Sequence, residues 1–158
     1  MNILFNDLNY YEQTVMKELC SDAEIVSLLT GVENPVIPNK SLAYTQVYPF
    51  AYIPYTNQEA NTFITFAINV PRIDNSLIKE LYVTFDIITH ESLMRTPKGK
   101  ITTRIATEIE KLFNGSKFLG ITKMNLVNSE IDIPVRGYHT RRLIYSVKDW
   151  NRVNGHYE

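Results

Sequence analysis

The sequence predicts an α+β fold, in which an antiparallel or mixed sheet packs against a long helix. Apolar and polar residues alternate over Phe63–Val70 and again over Leu81–Thr89, as in strands with one buried face. Over Ile101–Phe113 the apolar residues recur instead at helical spacing. The strands are grouped around helices without strict alternation, and this order favours α+β over a parallel α/β sheet.

Size and composition bound the class of protein. The 158 residues fit one domain, 1–158, that buries a core without metal or disulfide support. Cys20 is the only cysteine, which excludes an intrachain disulfide and suits a reducing cytoplasm. We expect a soluble protein, because the first residues lack a signal-peptide pattern and no apolar run is long enough to cross a bilayer.

Two short helices are predicted at the start of the chain. The first covers roughly Asn9 to Leu19, and the second follows Ser21, where Ser21-Asp22-Ala23-Glu24 matches a capping box. Gly31 is the predicted stop of the second helix.

Residues 34–58 combine prolines with aromatic side chains. Proline at this density prevents a regular central strand, whereas a disordered linker would contain fewer aromatic residues. One interpretation is a loop folded over its own core. The other is an extended arm that docks on a neighbouring subunit, with five interface candidates: Tyr44, Tyr48, Phe50, Tyr52 and Tyr55.

The remaining strands follow in order. A turn is predicted at Pro71–Ser76, so the two alternating segments should form an antiparallel pair. Asn114-Gly115 ends the later helix. Two closing strands are expected around Gly120–Val127 and Tyr138–Val147.

The two ends of the chain carry opposite charge. Residues 1–35 contain six acids and one lysine, a net charge of −5. Residues 134–158 contain five bases and two acids, a net charge of +3. Such ends suit head-to-tail contacts between identical copies, which close into rings when the rotation allows. Arg136, Arg141 and Arg142 are therefore further interface candidates.

No catalytic, cofactor or metal motif is present in the sequence. His90, His139 and His156 lack the spacing of a zinc site, and His90-Glu91-Ser92 is not accompanied by a nucleophile-elbow motif. The glycine-rich phosphate loops are absent too. We therefore expect no cofactor and no enzyme, although a small cytoplasmic enzyme with a site near His90 and His139 stays an alternative.

A second basic segment lies before the later helix. It contains four cations without an acid: Arg95, Lys98, Lys100 and Arg104. Together with the basic C-terminal segment, these side chains suit either a solvated surface or contact with a phosphate backbone. A net charge of −1 argues against a dedicated DNA-binding domain but leaves a nucleic-acid-binding accessory protein as a further alternative.

The order of elements resembles the tail terminator, or tail-completion, proteins of long-tailed bacteriophages. The resemblance rests on the helical start ending at Leu28–Gly31, Ile53-Pro54, the strand Val83–Ile87 with His90 behind it, the helix Arg104–Phe113, and Gly137–Leu143. It is a likeness of pattern and order, without a diagnostic motif.

The resemblance implies a structural virion protein rather than an enzyme. Members of that family form a ring, by resemblance a hexamer, which caps the tail tube and joins it to the head. The implied partners are other copies of the chain, the tail tube protein, head-closure or connector proteins, and passing DNA, without a membrane. The implied place is the tail or neck of a virion assembled in the host cytoplasm. Another neck ring protein, such as the head-closure ring, remains an alternative.

Overall fold

A computed structural model describes residues 4–73 and 77–150. Within these ranges the helices are α1 (Leu4–Ser21), α2 (Ala23–Thr30) and α3 (Ile101–Phe113). The strands of the same ranges are β1 (Val47–Tyr48), β2 (Thr62–Ile73), β3 (Ile78–His90), β4 (Arg95–Thr96), β5 (Gly99–Lys100), β6 (Asn125–Asp132) and β7 (Tyr138–Trp150). Short 3-10 turns cover Lys40–Leu42 and Glu91–Leu93.

Five strands form a mixed sheet in the order β1-β2-β3-β7-β6, and β4 pairs with β5 in a separate hairpin. β1 runs parallel to β2, whereas β2–β3, β3–β7 and β7–β6 are antiparallel. The predicted α+β class and the predicted antiparallel pairing of the two alternating segments are confirmed. β1 and β6 lie at opposite edges of the sheet.

The main core lies between one face of the sheet and the three helices. Alternation in β3 places Leu81, Val83, Phe85 and Ile87 on this face, and all four are fully buried. From α3, Ile105, Ile109 and Phe113 pack into the same core because their spacing puts them on one side of the helix. The other face carries a smaller core of Tyr48, Phe63, Ile88 and Tyr138.

The helical start differs from the prediction. α1 has 18 residues and is the longest helix in the described part of the chain, whereas a short helix was expected. Ser21 ends α1, so the predicted capping box is wrong: Asp22 is the N-cap of α2 and its carboxylate accepts a hydrogen bond from Ile25 N at 3.0 Å. Gly31 does end α2, in the left-handed conformation at φ 72°.

Two strand boundaries also differ. β2 continues through the predicted turn as far as Ile73, with a register shift between Asn69 and Arg72 where Pro71 lacks an amide donor. The rest of that turn, residues 74–76, lies outside the described residues. β6 begins five residues later than expected and includes Asn128-Ser129-Glu130, which had been predicted to separate strands. Polar residues fit there because β6 is an edge strand exposed on both sides.

Candidate assembly interface

Residues 34–58 are tied to the sheet of their own chain. Val47 and Tyr48 form β1, which pairs with β2. Tyr48 is buried and stacks on Tyr52 with ring centroids 4.2 Å apart, and both rings also contact Phe63. Burial raises the pKa of Tyr48, and the neighbouring Tyr52 hydroxyl is the second, smaller cause of this rise. For Tyr48 and Tyr52 the loop-over-core interpretation describes the structure, and an extended arm over residues 34–58 is not confirmed.

Other side chains of the same segment face solvent. Tyr44 is 62% exposed and Tyr55 is 69% exposed, and Phe50 is also exposed. Ile53, which was not selected from the sequence, is exposed as well. An intermolecular role for Tyr44, Phe50 and Tyr55 stays a prediction, and Ile53 joins them because it lies on the same exposed stretch.

A groove separates this segment from α1. It has a volume of about 620 Å³, and its lining includes Met16, Cys20, Tyr44 and Pro49. Cys20 is buried, and burial raises the pKa of its thiol, which makes the thiolate scarce at neutral pH. The groove is thus a mainly apolar surface beside the exposed aromatic residues rather than a site with an activated thiol.

The opposite edge of the sheet carries a second exposed apolar surface. All eight residues of β6 are exposed, and Val127 and Ile131 are its large aliphatic side chains with the greatest exposure. Ile133 follows immediately and is 62% exposed. Sequence reasoning missed this edge, because a strand that is exposed on both faces lacks the alternation that identifies a half-buried strand.

The three arginines selected near the C-terminus differ in their surroundings. Arg142 Nε donates to Asp86 Oδ1 at 2.8 Å and its Nη2 donates to Oδ2 at 3.1 Å. This hydrogen bond raises the pKa of Arg142 further. Arg141 is half-buried and its Nη1 donates to Ser129 Oγ at 3.4 Å, whereas Arg136 is exposed. Arg142 is therefore engaged within its own chain.

The acidic N-terminal region is also partly compensated within the chain. Asp7 is buried and forms an ion pair with Lys79 of β3. Asp22 and Glu24 lie near Lys111 of α3, whose pKa is raised mainly by its hydrogen bond to Glu108. The contact between the acidic and basic ends of neighbouring copies stays a prediction. Two charged residues of the basic C-terminal segment, Arg152 and Glu158, lie outside the described residues.

The fold brings the two basic segments together. Arg95, Lys98 and Lys100 are exposed on the β4–β5 hairpin, and Arg104 is half-buried with its Nη1 donating to Thr96 Oγ1 at 3.3 Å. A cleft of about 430 Å³ lies beside this hairpin and is lined by Lys100, His139 and Arg141, with Asp132 as the acid among its lining residues. The cleft thus joins cations that are about forty positions apart in the sequence.

The histidines are placed at the end of the sheet. His90 is the last residue of β3, and its Nδ1 lies 2.7 Å from Ser92 Oγ and accepts a hydrogen bond from Ser92 N at 3.2 Å. His139 Nε2 lies 3.6 Å from Glu91 Oε2. His156 lies outside the described residues. Among the residues the structure describes, no three histidine, cysteine or acidic side chains are grouped to hold a metal.

No helix in the described ranges is both long enough and apolar enough to span a membrane.

Comparison with known proteins places the chain in a family. Among curated proteins, none matches it. A solved structure titled "Virion of native gene transfer agent (GTA) particle" contains a chain of similar fold, with a TM-score of 0.59 and 11% identity. The match covers 90% of this chain and 96% of that one. At this identity the likeness shows a shared fold. Residues 22–147 match the family model YomW, and the protein belongs to the YomW family.

Proposed function

We propose that the protein is a structural subunit of a phage or phage-related virion that assembles with copies of itself into a ring at the head-proximal end of the tail. The ring ends the tail tube and joins it to the head through head-closure or connector proteins. Self-assembly is carried by one observation: exposed apolar side chains lie at both edges of the sheet, on the Tyr44–Tyr55 segment and on β6. Large exposed apolar surfaces mark contacts with other proteins.

The comparisons support the virion part of this proposal. A chain of the same fold occurs in a gene transfer agent virion, and the match extends over almost the whole of both chains. The order of elements also resembles tail terminator proteins, in which a hexamer is the expected assembly. Another neck ring, such as the head-closure ring, is the alternative within the same class.

The basic cleft favours a further contact with DNA. Arg95, Lys98 and Lys100 project from the β4–β5 hairpin, and Arg141 joins Lys100 in the cleft below. In a ring whose channel passes DNA, this surface would lie toward the channel and contact the phosphate backbone without reading sequence. Short duplex DNA should then bind with an affinity that falls steeply as salt rises.

Measuring the molar mass of the protein in solution tests whether it assembles into a ring. Light scattering after size-exclusion chromatography, at increasing protein concentration, should give a closed oligomer, and electron microscopy of that fraction should show a ring with an open centre. Mixing with tail tube protein should then cap the tube ends. A monomer at every concentration, with and without tube protein, would refute the proposal.

An enzyme remains the rival class and has its own test. A hydrolase at His90 or His139 should turn over ester, phosphate or nucleic-acid substrates, and loss of its general base should lower turnover on the order of 10²-fold or more. We expect no turnover from the purified protein. If the parent shows reproducible activity that disappears in His90→Gln or His139→Gln, the protein is an enzyme and the structural proposal is wrong.

A further inference from the structure

The groove between α1 and residues 38–49 combines an apolar lining with charges of both signs. Met16 and Pro49 belong to the apolar lining. The charged side chains that line the groove are Glu12, Lys17 and Lys40. Within the described ranges none of these three forms an ion pair. A segment that fits the groove should therefore carry apolar side chains together with one charge of each sign.

The charges follow a fixed order along the groove. Glu12 comes first in α1, and Lys17 follows about 8 Å further along the helix axis, at a rise of about 1.5 Å per residue. Lys40 lies at the same end as Lys17, because the neighbouring Asn39 N donates to Cys20 O at 2.9 Å. The groove is thus acidic toward the middle of α1 and basic toward its last turn.

The described chain ends close to the acidic part of this groove. Tyr11, which precedes Glu12 in α1, donates a hydrogen bond to Asp149, and Trp150 is the last described residue. Residues 151–158 follow and can span about 26 Å when extended at about 3.3 Å per residue. The way around α1 takes at most about one helix diameter, roughly 10 Å, and the groove needs about 8 Å more. The segment is therefore long enough to reach the basic end.

The sequence of residues 151–158 matches the groove in both charge order and apolar content. Its first charge is Arg152 and its acid is Glu158, with Val153 and Tyr157 between them. A segment that enters from the acidic part places Arg152 beside Glu12 and its own acid beside the lysines, whereas the reverse direction pairs like charges. Exposed ion pairs are weak, so the charges set the direction and the two apolar side chains supply the contact area.

We propose that residues 151–158 dock in the groove of their own chain and run along α1 from Glu12 toward Lys17. The own chain is the occupant because a short tether gives an effective concentration on the order of millimolar, which a second copy reaches only at high protein concentration. The proposal goes beyond the ring and does not depend on it. Docking compensates part of the opposite charge of the two chain ends within one subunit and leaves Phe50 and Tyr55, which lie outside the groove lining, for contacts between copies.

Cysteine cross-linking tests the docked position. In a Cys20→Ala background, Asn154→Cys with Gln13→Cys places one thiol on the segment and one in the groove lining. The matched control pairs Asn154→Cys with Thr14→Cys, because Thr14 is the next residue of α1 but lies outside the lining. A free segment would reach both positions, whereas a docked one favours Gln13. Mild oxidation of dilute protein should close the disulfide at Gln13 at least tenfold faster than at Thr14, and the product should have the mass of one chain.

Charge variants of the cross-linking pair test the direction of docking. Glu12→Lys should slow closure of the disulfide at Gln13 about two- to fivefold, as expected for the loss of one exposed ion pair. Adding Arg152→Glu should restore the rate, because the pair is then present with its charges exchanged. Glu18→Lys is the matched control, since Glu18 belongs to the same helix but not to the groove lining, and it should leave the rate unchanged.

The outcomes decide between three states of the segment. Equal rates of closure at Gln13 and Thr14 would show a free segment and overturn the proposal. Covalent dimers or ladders that form faster at higher protein concentration would show that the segment enters the groove of another copy, which also overturns it. If a cysteine variant loses the circular dichroism of the parent, Lys17→Cys in the lining and Glu18→Cys beside it replace the first pair. Each of these results leaves the proposed ring to its own test, the molar mass of the parent protein.

Discussion

Lys79 and Asp7 form a buried ion pair that joins α1 to β3 across 72 positions of sequence. Both side chains are about 1% exposed. Close by, Tyr11 of α1 donates a hydrogen bond to Asp149 of β7, and Asp149 lies opposite Lys79 in the strand register. The first turns of α1 are therefore fixed to the sheet by polar contacts as well as by apolar packing.

Removing the lysine should destabilise the fold strongly. In Lys79→Met the cation that faces Asp7 is lost while the carboxylate remains buried, so the free energy of unfolding should fall by about 3–5 kcal/mol. The double variant Asp7→Leu with Lys79→Met should recover part of this loss, because the Asp7 carboxylate is removed together with its cation while Asp149 keeps its hydrogen bond from Tyr11. Urea unfolding of the parent and variants measures both values. Equal losses in the single and double variants would show that apolar packing at this position decides the stability.

Arg142 should behave as a structural residue. Its two hydrogen bonds to Asp86 mean that Arg142→Glu brings two carboxylates together and lowers the melting temperature. Exchange of the pair, Asp86→Arg with Arg142→Glu, should restore most of it. Arg136→Glu is the matched control, because Arg136 is exposed and should leave stability unchanged. If Arg142→Glu instead impairs assembly and leaves the melting temperature unchanged, Arg142 is an interface residue and the prediction is wrong.

Tyr145 should make the protein sensitive to alkali. Burial, and then the nearby Glu110, raises the pKa of Tyr145 to about 12, while an unfolded tyrosine titrates near 10. The unfolded state then loses this proton first, so stability is present below about pH 10 and falls as pH rises from about 10 to about 12. Within the described residues the Tyr145 hydroxyl has no hydrogen-bond partner.

Tyr145→Phe isolates this effect. The variant should match or exceed the parent in stability at pH 7, because it removes a buried hydroxyl without a partner. Its loss of stability between pH 10 and 12 should be smaller than that of the parent, by up to about 2–3 kcal/mol for a shift of two units. Parallel stability curves for the two proteins over this range would refute the assignment to Tyr145.

Gly120 should not tolerate a side chain. A Cβ there would lie 2.3 Å from Lys148 O and 2.8 Å from Val147 Cγ2, so the chain before β6 would have to move away from β7. Gly120→Ala should cost about 1–3 kcal/mol of unfolding free energy, as overpacking does. Gly31→Ala is a useful comparison, since its Cβ would meet open space and only its left-handed backbone, at φ 72°, is penalised. A smaller loss at Gly120 than at Gly31 would contradict the packing argument.

The sequence by itself determined the elements whose burial follows a simple period. Alternation identified β2 and β3, since each has one face in the core, and a closing strand expected from Tyr138 onward is β7. Helical spacing likewise identified α3. Gly31 was recognised because a left-handed helix end favours glycine. In each case a local physical preference agrees with the final fold.

Only the tertiary structure decided what long-range contacts control. β6 carries no period because both its faces meet solvent, and α1 extends to Leu4 in a structure where distant Lys79 pairs with Asp7. The aromatic segment divides into inward and outward residues according to which rings reach Phe63. Arg142 was selected as an interface residue from the charge of its segment, and its partner Asp86, 56 positions away, became visible only in the structure. Composition counts such charges, but the register of β3 against β7 determines which of them are already neutralised.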